Sequence, residues 1–143
     1  MQPMKISLPE LKKQVHQMPM DVRWGDMDAM GHVNNAVYFR YMESVRIAWM
    51  TAVGAVPQPQ GEGPVIANAF CSFLRQIEYP ARLLLTLYVS DPGRTTFETW
   101  TTIEREDQPG VVFAEGGATV IWVDFPRQKA ATLPQWMRDI VAG

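Results

Sequence analysis

Two hydrophobic periods run along this chain. In the first, apolar and polar residues alternate one by one, as the two faces of a strand require. Met18, Met20, Val22 and Trp24 alternate with Gln17, Pro19, Asp21 and Arg23, which predicts a strand over residues 16–24. Pro19 has no N–H for a ladder, so it points to a sheet edge or to the strand's first residues. Four more strands are predicted at Val65–Ile77, Leu83–Ser90, Thr95–Arg105 and Val111–Val123. Leu83, Leu85, Leu87 and Val89 share one face, as do Val65, Ala67, Ala69, Cys71 and Phe73. The links between these strands are rich in Pro, Gly and Asp, and short turns join antiparallel neighbours. Gly116-Gly117 inside the last strand predicts a bulge or the close approach of a helix.

The second period is helical. From about Asn35 to Val53 the polar residues Arg40, Glu43, Ser44 and Thr51 fall in one narrow stripe. Almost all the remainder is apolar, so this helix, roughly 28 Å long, is a buried one. Gly54 stops it. Residues 55–64 form a loop with three prolines and two glycines. Two shorter helices are predicted at the ends. Over residues 1–15, Ser7 and Glu10 fit a capping box, and Leu8, Leu11 and Val15 share a face. Near the C-terminus, Leu133, Trp136, Met137, Ile140 and Val141 fit an amphipathic helix with Pro134 near its start.

Together these elements predict an α+β fold, with one curved antiparallel sheet of about five strands wrapped around a long central helix. A single sheet leaves one flank of the helix and one edge strand uncovered. Such surfaces pair with a second copy, so a homodimer or a homotetramer built as a dimer of dimers is expected.

Composition narrows the function. At 143 residues the chain is read as one domain spanning 1–143, with 1–15 and 126–143 as extensions. Apolar residues make up 47% and charged residues 20%, which fits a globular protein rather than a disordered one. The formal net charge is -2 with no basic run, so nothing favours nucleic acid. The single Cys71 excludes an internal disulfide and a cysteine-rich zinc site. No run reaches membrane-spanning length and the start has no apolar signal core, so a cytoplasmic protein is expected.

The candidate chemistry lies in one stretch. Val22-Arg23-Trp24-Gly25-Asp26-Met27-Asp28-Ala29-Met30-Gly31-His32-Val33-Asn34-Asn35 joins the first strand to the long helix. It gathers two carboxylates, a histidine and two asparagines at a helix N-terminus, where free N–H groups favour a developing anion.

This stretch, with the helix opening Ala36-Val37-Tyr38-Phe39-Arg40-Tyr41-Met42-Glu43-Ser44-Val45-Arg46, resembles the hotdog-fold acyl-CoA thioesterases of the 4-hydroxybenzoyl-CoA thioesterase type. The meander that follows agrees in order and length, so the resemblance covers residues 16–125. It implies hydrolysis of an acyl-CoA thioester to free acid and CoA, without metal or cofactor, in a dimer or tetramer with sites at the subunit interface. It implies that Asp28 is the catalytic carboxylate and that the Asn35 backbone N–H holds the oxyanion. The Gly31-His32-Val33-Asn34-Asn35 variant is closer to the branch acting on fatty acyl-CoAs, which places the chain in fatty acid metabolism.

Each residue carries a second reading. Asp28 would orient or deprotonate water, or attack the carbonyl itself; it would also cap the turn. Asp26 reads as a turn former or salt-bridge partner. His32 either polarises the substrate or fixes the loop as a neutral residue. Gly31 lets the backbone approach the substrate. Asn34 reads as an N-cap or a substrate contact. Tyr38 and Met42, with the Val56–Gly63 loop, are expected to line the acyl pocket. CoA phosphates need cations, and Arg75, Arg82, Arg94 and Arg105 sit near strand ends or turns; each reads as a solvated strand-end charge or as a phosphate ligand, with Arg75 the candidate for substrate binding. Glu43 and Arg46 are expected to form an ion pair at a subunit interface, and the second reading of Glu43 is the catalytic helix glutamate that some hotdog enzymes use. The competing functions are a hotdog-fold 2-enoyl-CoA hydratase or dehydratase, and a non-catalytic acyl-CoA binding module.

Overall fold

The computed structural model describes residues 7–143. One antiparallel sheet of six strands packs on a long helix. In chain order the elements are β1 (Lys13–Asp21), α1 (Asn35–Ala52), β2 (Glu62–Phe73), β3 (Arg82–Ser90), β4 (Thr96–Arg105), β5 (Val112–Asp124), β6 (Lys129–Ala130) and α2 (Gln135–Ala142). The sheet order is β1-β3-β4-β5-β2, and β6 adds to β5. The α+β architecture expected from the sequence is therefore present, with a sixth, two-residue strand that no alternation signalled.

The core follows the alternation. Leu83, Leu85, Leu87 and Val89 of β3 are all fully buried, beside Phe97 and Ile103 of β4. They meet Tyr38, Tyr41, Met42, Val45, Trp49 and Met50 of α1. The Trp49 and Phe97 rings cross edge to face with centroids 6.0 Å apart. Gly116 and Gly117 mark a close approach rather than a bulge, since β5 keeps its register there with both neighbours. A Cβ on Gly116 would run into the Phe70 carbonyl and lie 2.9 Å from the Met42 sulfur.

The edges of the elements depart from the expected ones for local reasons. The N-terminal helix does not form over the described part of its range. Residues 7–12 are irregular, Leu11 is 89% exposed, and Val15 belongs to β1. Lys13 and Gln14 instead pair with Val89 and Tyr88. Sheet pairing satisfies backbone groups that a one-sided, unburied helix turn would leave to water. Residues 1–6 of that predicted helix, among them none of its capping residues, lie outside the described residues. β1 does lie at a sheet edge, as Pro19 required. It ends at Asp21, because Trp24–Asp26 form a 3-10 turn that leaves Trp24 76% exposed.

β2 is the other edge. A register shift between Ile66 and Asn68 puts Ala67 outside the ladder and breaks the shared face expected for Val65 through Phe73. The strand stops at Phe73, where the N–H groups of Leu74 and Arg75 both donate to the Phe113 carbonyl. The expected continuation to Ile77 is thereby lost. α1 ends as predicted, with Gly54 at φ +81 and the Ala55 N–H donating to the Met50 carbonyl at 2.8 Å. Its exposed face is less polar than expected: Phe39 and Ile47 are exposed while Arg46 is buried. α2 buries Met137 and Val141 and sets Trp136 edge to face against Trp122.

Candidate active site

The loop between β1 and α1 is a small closed structure. Met27 and Val33 pair as an isolated antiparallel bridge. Inside it the Asp28 N–H donates to the His32 carbonyl at 2.8 Å, and the Gly31 N–H donates to the Asp28 carbonyl at 3.2 Å. Gly31 has φ +83, where an L side chain is strained, but open space surrounds it. That positive φ lets Gly31 turn the loop. The Val33 N–H donates to the Ile77 carbonyl at 2.8 Å, which ties the loop to the segment after β2.

Asp28 performs the turn-capping role in part. Its Oδ1 accepts from the Met30 N–H at 2.8 Å and the His32 N–H at 3.5 Å. No hydrogen bond from the described residues reaches Oδ2, so half of the carboxylate is left for other partners. Asn34 is the N-cap of α1: its side-chain oxygen accepts from the Ala36 N–H at 2.9 Å, and its carbonyl accepts from Val37. The Asn35 N–H finds no acceptor among the described residues, and it lies at the positive end of the helix.

A cavity of about 480 Å³ opens over these groups. Asp28, His32, Asn35, Tyr38 and Arg75 line it, together with Met30, Val33, Phe73, Leu74 and Gln76. Asp28, His32, Asn35, Tyr38 and Arg75, all singled out from the sequence, therefore converge on one cavity; Gly31 and Asn34 belong to the loop without lining it. Tyr38 is buried and its ring meets Phe73 edge to face at 5.0 Å. Burial raises its hydroxyl above the ordinary tyrosine range, against a smaller opposing effect of the Ile77 backbone. The His32 Nε2 lies 3.6 Å from the Glu78 carboxylate. Arg82 sits near Asp21 and Glu106, Arg105 is held by Asp107 at 2.8 Å, and neither they nor Arg94 line the cavity, whereas Arg75 does.

Three expectations fail here. Met42 packs against Gly116 in the core and does not line the cavity. Val56 and Pro57 line a different, mostly apolar cavity at the far end of α1, with Ile47, Met50, Pro64 and Ile66. Glu43 and Arg46 border that second cavity too, and they form no ion pair with each other among the described residues. Instead Arg46 is 8% exposed and its Nε has no hydrogen-bond partner among the described residues, while Glu43 is exposed. Sequence reading missed Gln76 and Glu78. It carried β2 through Gln76 as strand to Ile77 and put Glu78 in the turn that follows, whereas the chain leaves the sheet at Leu74 and folds over the loop.

Residues 22–141 match the thioesterase-like superfamily, and the chain belongs to it. The general chemistry of that class is thioester hydrolysis. A solved structure from Pseudomonas aeruginosa, provisionally named a thioesterase, is 30% identical with a TM-score of 0.84, over 90% of this chain and 98% of that one. A second, from Xanthomonas campestris and provisionally named an acyl-CoA thioesterase, is 32% identical with a TM-score of 0.75, over 85% of this chain and 100% of that one. Among curated proteins, the uncharacterized protein YsmA of Bacillus subtilis is 28% identical over 114 residues, 73% of this chain and 78% of its own length. No helix among the described residues is long and apolar enough to cross a membrane.

Proposed function

We propose that this protein is an acyl-CoA thioesterase with Asp28 as its catalytic carboxylate. The observation that carries this reading is the pairing of two unused groups on one cavity: the Asp28 Oδ2 and the Asn35 N–H. A thioester needs a base or nucleophile and a donor for the oxyanion, and these two groups are of the required kinds. Asp28 takes a proton from a water as its oxygen bonds to the carbonyl carbon. The oxyanion forms against the Asn35 N–H and the helix N-terminus. Its collapse breaks the C–S bond, and the CoA thiolate leaves and takes a proton. Attack by Asp28 itself, through a mixed anhydride that water then opens, uses the same groups.

His32, held near Glu78, polarises the carbonyl or the leaving sulfur from the cavity wall. Arg75 supplies a cation for the CoA phosphates at the rim. Tyr38, Phe73, Leu74 and Met30 offer apolar surface to the acyl group. The fatty acyl chain as substrate rests on this apolar surface and on the Gly31-His32-Val33-Asn34-Asn35 variant of the loop.

The same reading includes a dimer or a dimer of dimers. From Val65 to Leu74 the edge strand and its exit carry no charge, and Val65, Ile66, Phe73 and Leu74 are exposed. Edges left this bare ordinarily pair. Phe39 and Ile47 expose apolar surface on α1 as well. A second copy would cover them and bring its Glu43 toward the unpaired Arg46. We place this enzyme in the cytoplasm.

The test is a thiol-release assay across acyl-CoA chain lengths and aryl-CoAs, with wild type and Asp28→Asn side by side. Release by wild type and its loss in the variant are expected. Equal rates for both would remove Asp28 from the mechanism. Consumption of crotonyl-CoA without free thiol would replace hydrolysis by hydration.

A further inference from the structure

The loop carries a second carboxylate that faces away from the cavity. Asp26 lies two residues before Asp28, yet it lines a separate cleft with Met20, Arg23, Arg40, Tyr41 and Ser44, behind the loop. It cannot reach a substrate held against Asp28 and Asn35. Its bonds are to the protein. One oxygen, Oδ2, accepts from the Arg23 N–H at 2.9 Å and from the Tyr41 hydroxyl at 2.7 Å. Its backbone carbonyl accepts from the Asn34 N–H at 2.9 Å.

These bonds join three pieces of chain. Arg23 is where β1 gives way to the loop. Asn34 caps α1. Tyr41 stands almost two turns inside α1 and is 3% exposed. The segment between, Asp28 to Gly31, is exposed and is held by bonds within itself. Its two ends therefore decide where Asp28 sits relative to the start of the helix. Burial first, and the neighbouring Asp26 carboxylate next, push the Tyr41 hydroxyl far above the ordinary tyrosine range. Tyr41 thus stays a donor at any pH an assay would use. A buried hydroxyl left without its acceptor is costly, so the tie is hard to give up.

We infer that Asp26 and Tyr41 are a positioning pair, which fixes the catalytic loop to α1 so that Asp28 and the Asn35 N–H meet the same carbonyl. The inference rests on the reading of Asp28 and Asn35 given above. It assigns Asp26 no contact with substrate and no proton transfer. A small displacement of a catalytic group reduces turnover far more than it reduces binding.

The experiment compares wild type, Tyr41→Phe, Asp26→Ala, Asp26→Asn and Asp28→Asn by steady-state kinetics and by amide hydrogen exchange. Tyr41→Phe and Asp26→Ala should lower kcat by about tenfold or more with KM within about twofold. In both, exchange at Gly31 and Asn34 should quicken by about tenfold while the β3 and β4 amides keep their protection. Asp26→Asn keeps an acceptor oxygen for Arg23 and Tyr41, so it should retain kcat within about threefold. Wild-type kcat and exchange in both Tyr41→Phe and Asp26→Ala would overturn the inference. So would a loss in Asp26→Asn as deep as in Asp26→Ala, because the charge rather than the tie would then matter. If Tyr41→Phe does not fold, Asp26→Ala decides by the same two measurements. If wild type releases no thiol, the thioesterase reading falls, and exchange at Asn34 alone decides the tie.

Discussion

The Tyr38 ring stands edge-on to Phe73, centroids 5.0 Å apart and planes at 84°. One residue comes from the first turn of α1 and the other from the last position of β2, so this contact forms the wall where helix and sheet edge meet at the cavity. Phe73 is 42% exposed, and truncating it removes apolar surface from the cavity rather than from the core. Phe73→Ala should fold with a loss of about 1 kcal/mol, the scale of one aromatic pair. Its KM for acyl-CoAs should rise several-fold, and its preferred chain should lengthen. Chain-length profiles of wild type and variant check this.

Asp28→Asn keeps the oxygen that accepts from Met30 and exchanges only the acidic function. Thermal unfolding should therefore be close to wild type, while kcat falls by about 10²–10⁴, the usual worth of a positioned general base. A melting curve that drops with the rate would mean that the loop, and not the chemistry, had been damaged.

The N-cap can be tested apart from catalysis. Asn34→Ala removes the acceptor for the Ala36 N–H and should cost about 1 kcal/mol in urea unfolding. Asn34→Asp restores the acceptor and adds a negative charge at the helix N-terminus, so stability should return. Because that charge also stands beside the Asn35 N–H, the Asp variant should hydrolyse more slowly than its stability suggests.

Gly116→Ala should be costly. The added methyl meets the Phe70 carbonyl on one side and Met42 on the other, in a core with no slack. Forced overpacking of this kind costs about 1–3 kcal/mol, readable as a shift in the urea midpoint at unchanged slope. Adding Met42→Ala should not recover the loss, because the Phe70 carbonyl stays in place and a buried side chain is lost.

Cys71 gives a pH signature. Desolvation on β2 pushes its thiol from 9.0 to about 12. Between those values the unfolded chain releases the proton and the folded chain keeps it. Stability from this group is thus whole below pH 9 and falls as pH rises toward 12. Cys71→Ala should show a shallower alkaline loss than wild type in urea titrations at pH 8, 9 and 10. The native thiol should also react slowly with disulfide reagents at pH 8 and rapidly once the protein is unfolded.

Much of the fold was legible because its signals are long. α1, β3, β4 and β5 bury whole faces, so each shows its period without help from neighbours. The errors fall where partners far along the chain decide. Lys13 becomes strand because Val89 lies opposite, and nothing near Ser7 or Glu10 reveals it. Ala67 leaves its ladder for geometric reasons that an apolar run does not display. The site shows the same division. Asp28, His32 and Asn35 share one loop and could be read together. Arg75 could be named only by its charge at a strand end. Gln76 and Glu78 reach the loop because Leu74 and Arg75 both turn to one carbonyl of β5, a fork no local pattern announces. Arg46 reads as Glu43's ion-pair partner at a subunit interface, and only the packed helix shows that its guanidinium Nε is buried.

The irregularity at Ala67 has a further consequence for solubility. A charge-free edge is the raw material of open-ended stacking, in which every added strand offers the next a fresh template. A strand that loses its register midway cannot serve so well, since its two halves present their free amides with different twist. The register shift thus makes β2 a poor seed for a fibril. Deleting Ala67 to straighten the edge should raise aggregation, read as light scattering at rising protein concentration.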